Sequence, residues 1–458
     1  MQEEGIREVT LSEVLEAREA RVRMQEALRD RFHCPVVSFT MNIAGPIKCT
    51  PLIQRSFRRG VDKLQEKLKR EGIPVLFAGQ NIAVTGCEAL FALGADPERI
   101  KKLCVQIEEE TLLGRLYDID VLDEQGEKLA RGQERCCLVC GKQGRECASR
   151  RLHPVSELQR VTEKIQRDFW EAYDGKRVGE LVTQALLREV RTTPKPGLVD
   201  EHNNGSHRDM DLTTFEKSAA ALTSYWEEAF TLGVREREKT EDEAFTLLRR
   251  AGMEAEKAMY AVTGGVNTHK GAIFSLGILS MAAGRVYEAE RPVRDALVLT
   301  KEGAALCKRA VEEDFKRIKE RGAKTYGEKL YLKEGRGGIR QEAYEGFPLL
   351  TKVALPRLTE GLYAGLSWND AGMRTLLYLI AEGKDTNLCA RGGIKRAEEV
   401  SREIRKMLEK DPFPCREKVE ELDQAFMEEN LSPGGSADML AAAWFLYAWE
   451  KEGEEKRE

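Results

Sequence analysis

The sequence contains no apolar run of the roughly 18–20 residues that a membrane-spanning helix needs. Its longest apolar stretches, such as residues 271–283, have the length of a buried helix. The first ten residues, MQEEGIREVT, are acidic and polar, unlike a secretion signal. We therefore expect a cytoplasmic protein without a membrane partner.

An excess of charge of either sign is also missing. Lys plus Arg number 73 and Asp plus Glu number 78, which gives a net charge of −5. Nucleic-acid-binding domains usually carry a strongly basic face, so we expect no nucleic-acid partner. Eight of the eleven cysteines precede residue 150, and in a reducing compartment they favour free thiols or metal ligands over disulfides.

The length of 458 residues and the hydrophobic content of 41% indicate a folded chain of two or three domains. Periodicity predicts helices over residues 11–31 and 52–71 and from Asp96-Pro97 onward, strands near 36–44, 73–77 and 112–122, and a turn at 79–81. This pattern indicates an α/β domain with a mixed sheet.

Beyond residue 155 the pattern is almost entirely helical. Gly175 is the best candidate for a linker, which gives predicted domains 1–174 and 175–458. The second is expected to be all-α, with polar, glycine-rich loops that carry the chemistry. The predicted helices cover residues 181–190, 214–232, 242–260, 272–283, 293–317, 350–365, 372–382, 397–409 and 437–449.

Asp118 and Asp120 form a D-x-D motif on a predicted strand. Alternate strand residues share a face about 7 Å apart, so these carboxylates can share a Mg²⁺ that carries phosphate oxygens. Aspartates that only solvate a strand end are the alternative. Lys48, Arg55 and Arg58 follow a glycine turn and are either phosphate ligands or solvated bases.

Cys137, Cys140, Cys147 and His153 have the spacing C-x2-C-x6-C-x5-H. These ligand types suit tetrahedral Zn²⁺, although the spacing is not that of a standard zinc finger. A cluster of reduced structural thiols is the alternative.

Charged residues crowd the loops of the second part. Lys195 and Asp200 lie in TPKPGLVD, and NGSHRDMD adds His207, Asp209 and Asp211. As an alternative, Asp211 caps the following helix. The string TGGVNTHKG, with His269 and Lys270, lacks the P-loop pattern but keeps glycines, a lysine and a helix N-terminus, which together attract anions.

Three further segments join glycines to charged groups at helix boundaries. They contain Arg340 and Glu342, then Asp385 and Arg391, and then Asp438.

The long strings in both parts resemble two known families. AREARV, VSFTMNIAGPIKCTPL, GRLYDIDV and CLVCG, within residues 1–170, resemble the apo-citrate-lyase phosphoribosyl-dephospho-CoA transferase family, CitX. TPKPGLVD, NGSHRDMD, TGGVNTHKGAIFSLGIL, EGFP, DTN, RGG and SPGGSADMLA, from about residue 178 onward, resemble the triphosphoribosyl-dephospho-CoA synthase family, CitG. The chain is thus similar to fused proteins with both activities.

For the second part, the resemblance implies joining of ATP to 3′-dephospho-CoA with release of adenine. It implies Mg²⁺, metal or base roles for Asp209, Asp211 and Asp438, and similar roles for Asp200, Glu342 and Asp385. The residues expected to bind phosphates are Lys195, Lys270, Arg340 and Arg391. His207 and His269 are expected to act as general acids or to contact adenine.

For the first part, the resemblance implies a nucleotidyltransferase that attaches this product to a serine of the citrate lyase acyl carrier protein and releases pyrophosphate. Asp118 and Asp120 would hold the metal, and Arg115, Lys48 and Arg55 would neutralise the pyrophosphate. Two alternatives stay open: the same chemistry serving malonate decarboxylase, or a zinc-binding adapter protein that consumes no ATP.

Overall fold

The computed structural model describes residues 6–452 and divides them into two compact units. The first unit comprises residues up to 171 together with 289–291, and the second comprises 172–288 and the residues from 292 onward. Residues 1–5 and 453–458, the outermost parts of the two predicted domains, lie outside the described residues.

The first unit is a four-stranded sheet with helices. Its elements are α1 (Leu11–Phe32), β1 (Val36–Met41), α2 (Pro51–Arg70), β2 (Val75–Ala83), β3 (Gly86–Leu93), α3 (Pro97–Glu109), a 3₁₀ turn (Leu113–Leu116), β4 (Tyr117–Leu122), α4 (Gly144–Ser149) and the start of α5 (Val155–Arg191). The strand order is β2-β3-β1-β4, and each neighbouring pair is antiparallel.

The local sequence explains where these helices begin. The Thr10 side chain caps α1 in a capping box with Glu13, and the Thr50 hydroxyl caps α2 just before Pro51. Asp96 accepts a hydrogen bond from the backbone N–H of Arg99 and caps α3. These three helices confirm the predictions. Helix α2 buries one apolar side against the core face of the sheet.

Two predictions for the sheet are wrong. The sheet is antiparallel throughout its described strands rather than mixed. The predicted turn at 79–81 lies inside β2, because Gly79 leaves room for the Phe77 ring, 2.8 Å from where a Cβ would lie. The hairpin turns instead just before Gly86, whose φ of 135° favours glycine.

Every described element of the second unit is helical. After α5 these are α6 (Leu212–Ala221), α7 (Thr223–Arg235), α8 (Glu241–Thr263), α9 (Lys270–Arg285), α10 (Ala296–Arg321), α11 (Tyr326–Glu334), α12 (Gly338–Tyr344), a π-helical turn (Leu350–Ala354), α13 (Leu355–Tyr363), α14 (Trp368–Glu382), α15 (Thr386–Lys410), α16 (Arg416–Glu428) and α17 (Gly434–Lys451). The long apolar patterns predicted their helices, whereas the short or charged α4, α11, α12 and α16 were not predicted.

Helices α9 and α17 form the centre of this unit, and both are buried along most of their length. Small residues let α7 approach α9 closely: a Cβ on Gly284 would lie 2.0 Å from the Phe230 carbonyl oxygen. The N-termini of α9, α15 and α17 carry the loops that the sequence analysis selected.

The predicted linker at Gly175 is wrong, because Gly175 lies inside the 37-residue helix α5. Glycine lowers helix propensity by only about 1 kcal/mol, which the flanking helix formers and packing outweigh. A Cβ at this position would lie 3.1 Å from the Phe230 ring, so close packing accounts for the small residue.

Within residues 6–452, no helix is both long enough and apolar enough to cross a bilayer.

Candidate active sites

Two buried aspartates hold the loop that follows α5. The carboxylate of Asp200 accepts hydrogen bonds from the Thr193 hydroxyl and from the backbone N–H groups of Lys195, His202 and Asn203, at 2.7–3.0 Å. The carboxylate of Asp423 accepts from the backbone N–H of Gly197 at 2.8 Å and from the Asn203 amide. Asp200 therefore shapes the loop through two hydrogen bonds to each of its oxygens, and its metal role stays a prediction.

This loop places Lys195 in the interior. Its side chain is 1% exposed, and its Nζ lies 2.5 Å from the Glu189 carboxylate on α5. Burial raises the pKa of Glu189, against the neighbouring Lys195 charge. Lys195 and Glu189 both line a cavity of about 320 Å³.

That cavity, here called the synthase cavity, brings together most of the predicted residues of the second unit. Its polar lining comprises Glu189, Lys195, His207, Asp209, Asn267, Thr268, His269, Lys270, Asn387, Arg391, Ser432 and Asp438. Basic and acidic side chains from five separate segments thus converge on one space, which supports their selection from sequence.

Asp438 lies at the start of α17, against the N-terminus of α9. It accepts a backbone hydrogen bond from Ala272, while burial and the nearby charges of Glu189 and Asp385 raise its pKa well above the ordinary value. A Cβ on Gly271 would lie 1.9 Å from the Asp438 Oδ2 atom, so glycine is required for this approach. A carboxylate with a raised pKa suits general base catalysis.

His207 is held at both ring nitrogens. Arg391 donates to Nδ1 at 3.1 Å, so Nδ1 is the acceptor and Nε2 donates to the Ser432 hydroxyl at 2.9 Å. Burial and the Arg391 charge lower its pKa. The predicted role of His207 as a general acid stays a prediction, and this arrangement favours neutral His207 as a support for Arg391.

A second cavity of about 220 Å³ in the same unit contains Glu342 and Asp385. Asp385 caps α15, accepting from Asn387 and Leu388, and its other oxygen accepts from Ser436 N at 2.7 Å and Ser436 Oγ at 2.9 Å. Glu342 accepts from Leu349 N at 3.1 Å, and burial raises the pKa of both carboxyls.

Two predicted residues, Asp211 and Arg340, lie outside the described linings of both cavities, and a third, Lys270, lines the synthase cavity but is paired with a glutamate. Asp211 caps α6 and accepts from Thr214 N at 2.8 Å, and it is not among the described residues that line either cavity. Arg340 is exposed on α12 and also lies outside both linings. Lys270 lines the synthase cavity and lies 2.8 Å from Glu256. The binding and metal roles of Asp211 and Arg340 stay predictions.

In the first unit, Asp118 and Asp120 lie on the same face of β4, opposite Thr40 and Ser38 of β1. Their neighbours Tyr117, Ile119 and Val121 point into the core, so alternation leaves both carboxylates on the other face. Asp118 is exposed, and Asp120 lies 2.6 Å from the Lys128 ammonium.

A larger cavity of about 980 Å³ in the first unit, here called the arginine cavity, does not include the D-x-D pair in its described lining. Glu108 pairs with Arg131 and Arg135, and Arg145 lies 3.3 Å from Glu134. The arginines that line it are Arg115, Arg131, Arg135, Arg145 and Arg151.

The other two predicted phosphate ligands of this unit have protein partners. Lys48 donates to the Ile43 carbonyl oxygen at 2.6 Å, and burial lowers its pKa. Arg55 lies 3.6 Å over the Trp170 ring and donates to the Ala289 carbonyl oxygen. Their roles toward pyrophosphate stay predictions, whereas Arg115 lines the arginine cavity.

Cys137, Cys140, Cys147 and His153 come together, with all four ligand atoms within 4.8 Å of one another. A short hairpin holds the first two cysteines: Cys137 N donates to the Lys142 carbonyl oxygen at 2.6 Å, and Gly141 N donates to that of Cys137. Cys147 lies in α4, and the Sγ atoms of Cys140 and Cys147 are 3.4 Å apart.

Several residues of these sites were not predicted. Glu189 looks like any other glutamate of a helix, and only the fold of the next loop brings Lys195 onto it. Ser218 lies in no motif, and Ser432 begins the string SPGGSADMLA but was assigned no role; both hydrogen bond to histidines of the synthase cavity. Arg336 lines the second cavity from the glycine-rich segment just before Arg340, and it was not selected from the sequence.

The close approach of Gly271 to Asp438 gives a direct prediction. Gly271→Ala should lower the free energy of unfolding by about 1–3 kcal/mol, because the methyl group would overpack the carboxylate. Thermal denaturation measures this. Gly327→Ala is the matched control, because it is helical and has no atom within 4 Å of an added Cβ. Equal stability of the two variants would contradict the packing described.

Comparison with known proteins agrees with this division of sites. Residues 175–457 match the CitG family, ATP:dephospho-CoA triphosphoribosyl transferase, and residues 9–169 match the CitX family, Apo-citrate lyase phosphoribosyl-dephospho-CoA transferase. A solved structure from Archaeoglobus fulgidus aligns over 51% of this chain and 97% of its own at 18% identity. Its TM-score of 0.35 is too low to support an argument.

Among similar proteins, CitXG of Haemophilus influenzae is 34% identical over 454 residues, 96% of each chain. CitXG of Leuconostoc mesenteroides is 33% identical over 97% of this chain and 98% of its own. The 2-(5''-triphosphoribosyl)-3'-dephosphocoenzyme-A synthase of Pectobacterium atrosepticum is 38% identical over 64% of this chain and 95% of its own. The chain therefore belongs to the CitXG family of bifunctional transferases, which make and attach the prosthetic group of citrate lyase.

Proposed function

We propose that the second unit joins ATP to 3′-dephospho-CoA, releasing adenine, and that the first unit transfers the resulting phosphoribosyl-dephospho-CoA to a serine of the citrate lyase acyl carrier protein, releasing pyrophosphate. The observation that carries the proposal is the synthase cavity, whose lining includes both the basic Lys195, Lys270 and Arg391 and the carboxylates of Asp209 and Asp438. Cationic groups for a triphosphate and a base for a hydroxyl group lie in one space.

The triphosphate of ATP would bind Lys270 and Arg391. The first turns of α9 and α17 already donate to carboxylates, Ala272 N–H to Asp438 and Ser436 N–H to Asp385, so the two basic side chains are its main ligands. The Lys195 charge is neutralised by Glu189, so we assign Lys195 to orienting the substrate and to the electrostatic potential of the cavity rather than to direct phosphate binding.

The cavity offers one or two carboxylates to a Mg²⁺ ion, and substrate phosphates would complete its coordination. Among the described residues, three carboxylates do not come close enough together to form a metal cluster. Mg²⁺ usually takes one or two carboxylates together with substrate phosphates, and Asp209 or Asp438 can supply them. When bound, the ion would neutralise triphosphate charge.

The first reaction breaks the bond between the ribose C1′ and adenine N9 and forms a bond from C1′ to the 2′-oxygen of dephospho-CoA. We propose that Asp438 accepts the proton of the attacking hydroxyl, because its raised pKa makes the ionised form a stronger base. The transition state resembles an oxocarbenium ion, which the carboxylates of the cavity stabilise.

In the second reaction the serine oxygen of the carrier attacks the α-phosphorus, and the bond to pyrophosphate breaks. Asp118 and Asp120 would hold Mg²⁺, which supplies charge neutralisation at the phosphates. We propose that Arg115 and the arginine cavity bind the anionic donor. Both carboxylates lie on one accessible face of β4, which supports this assignment.

The experiment that tests the first activity is incubation of the full chain with ATP and 3′-dephospho-CoA, followed by chromatography for adenine. We expect adenine in proportion to dephospho-CoA consumed, and none when either substrate is omitted. A folded protein that releases no adenine would refute the proposal and would favour the adapter alternative. Loading assays with the citrate lyase and malonate decarboxylase carriers separate the two carrier alternatives.

We also propose that Cys137, Cys140, Cys147 and His153 bind one Zn²⁺. The donor set, three cysteine thiols and one imidazole whose ligand atoms lie within 4.8 Å of one another, is a set that Zn²⁺ takes in tetrahedral sites. The His153 Nε2 atom is buried and has no hydrogen-bond partner among the described residues, while Nδ1 lies 3.3 Å from Glu157. A carboxylate on the far nitrogen is the usual support of a histidine that ligates a metal. Four protein ligands fill the tetrahedron, so the ion would be structural.

Zinc content checks this assignment. Purified protein should contain one zinc per chain. The Cys140→Ser protein should contain none, because it lacks one of the four ligands. Glu157→Gln should bind zinc about 10–100-fold more weakly. The matched control is Cys136→Ser, an exposed neighbour outside the cluster. A zinc-free wild-type protein after growth with zinc, or equal loss in the control, would contradict the site.

The matched ranges of the two families, 9–169 and 175–457, support a functional boundary at residues 174/175. The eleven cysteines are free thiols, which is consistent with the cytoplasm as the proposed compartment.

A further inference from the structure

His269 is the buried histidine of the synthase cavity, and one of its nitrogens is unused. The side chain lies at the start of α9 and is 3% exposed. Its Nδ1 atom lies 2.7 Å from the Ser218 hydroxyl, whereas its Nε2 atom has no hydrogen-bond partner among the described residues. A buried, unsatisfied polar atom costs free energy, so a ligand that fills the cavity is the expected partner.

A chain of hydroxyl groups fixes which nitrogen carries the proton. Thr268 donates its hydroxyl proton to Ser218 Oγ at 2.7 Å. The Ser218 proton is then free for Nδ1 of His269, which makes Nδ1 the acceptor. The opposite tautomer would leave the proton of the buried Ser218 hydroxyl without an acceptor, which is unfavourable. Nε2 therefore carries the ring proton.

The surroundings of His269 keep its ring oriented and neutral. The Phe215 ring meets the imidazole edge-to-face at 5.1 Å, with an interplanar angle of 90°. Burial, together with the Lys195 charge, lowers the pKa of His269 to about 3. A second proton on this ring is thus disfavoured throughout the neutral pH range.

We propose that neutral His269 donates a hydrogen bond from Nε2 to a ring nitrogen of the departing adenine, N7 or N3, and that Ser218 and Thr268 are the positioning residues that fix this tautomer. The inference rests on the proposed function of the second unit. It replaces general acid catalysis by His269 with hydrogen-bond donation.

The bond changes of the reaction remain balanced. As the bond from C1′ to N9 breaks, its electron pair moves into the purine, and negative charge appears on the ring nitrogens. The hydrogen bond from Nε2 stabilises that charge, and His269 keeps its proton. The proton of the attacking hydroxyl goes to Asp438, and adenine takes a proton from solvent. His207 is not suited to this task, because both its ring nitrogens already have partners.

The tautomer can be observed without activity. In protein labelled with ¹⁵N-histidine, long-range ¹H–¹⁵N spectra should show, among the five histidines, an Nε2–H tautomer that is absent from a His269→Gln spectrum and unchanged between pH 6 and 8. In Ser218→Ala this signal should shift towards a tautomer mixture. A wild-type His269 signal from the charged ring or the Nδ1–H tautomer would overturn the inference.

Kinetics with modified substrates test the function of the donor. His269→Phe should lower kcat for adenine release roughly 10²–10³-fold, as for loss of one preorganised donor. His269→Gln keeps an N–H donor, so its kcat should lie between those of His269→Phe and the wild-type protein. Ser218→Ala and Thr268→Val should lower kcat roughly 10-fold or more with little change in KM.

Deaza-ATP analogues identify the accepting nitrogen and separate this inference from the proposed function. The analogue that lacks the accepting nitrogen, 7-deaza-ATP or 3-deaza-ATP, should be a poor substrate, and His269→Phe should lower its rate no further. If His269→Phe slows ATP and both analogues equally, the hydrogen bond does not exist. If wild-type protein releases no adenine from ATP, the proposed function itself fails.

Discussion

We expect the Asp120→Ala protein to release adenine from ATP and 3′-dephospho-CoA at the wild-type rate and to lose nearly all loading of the carrier protein. Asp120 shares one face of β4 with Asp118, in the first unit, whereas the synthase cavity consists of residues of the second unit. Loss of one carboxylate should weaken the binding of Mg²⁺ and lower the rate of carrier loading by about 10²-fold or more. The measurement is carrier mass together with adenine, in the same reaction.

Two controls accompany this variant. Lys128→Met breaks the ion pair with Asp120 but keeps the carboxylate, so loading should change by only a few-fold. Glu124→Gln removes a negative charge from an exposed neighbouring position and should have no effect. Because Asp120 is partly exposed, its substitution should change the free energy of unfolding by roughly 0.5 kcal/mol or less. Loss of adenine release in Asp120→Ala would contradict two separate sites.

The Asp438→Asn protein should show the reverse result. Adenine release should fall about 10²–10⁴-fold, because the amide accepts no proton from the attacking hydroxyl. Loading should stay at the wild-type rate when the triphosphoribosyl-dephospho-CoA product is supplied. The protein should remain folded, because the substitution keeps the shape and removes repulsion from Glu189 and Asp385.

The matched control for this variant is Asp411→Asn, a partly exposed carboxylate of the same unit that pairs with Lys418. It should leave both reactions unchanged. Wild-type adenine release by Asp438→Asn would show that another group is the base. Loss of loading from supplied product would show that the two units share one active site.

Sequence reasoning was strongest where one local rule decides the structure. The Asp96 cap before Pro97 and the apolar pattern of α9 are local features, and each predicted its helix. The alternation on β4 likewise predicted that Asp118 and Asp120 share a face. The ligand spacing of the cysteines and His153 anticipated their convergence.

Sequence reasoning was weakest where distant contacts decide. Gly175 was interpreted as a linker and Gly79 as part of a turn, but each makes room for a phenylalanine ring. Strand direction in the sheet depends on pairing between separate segments, which no local pattern reports. The roles of Glu189 and Ser218 become visible only once the fold brings them to Lys195 and His269.

We propose that one chain runs both reactions in series. Incubation of the full chain with ATP, 3′-dephospho-CoA and apo carrier protein tests this, with the intact mass of the carrier and the amounts of adenine and pyrophosphate measured in the same sample. We expect a mass gain equal to one phosphoribosyl-dephospho-CoA, with one adenine and one pyrophosphate released per loaded carrier. A carrier that gains no mass, or that gains mass without adenine release, would contradict the account.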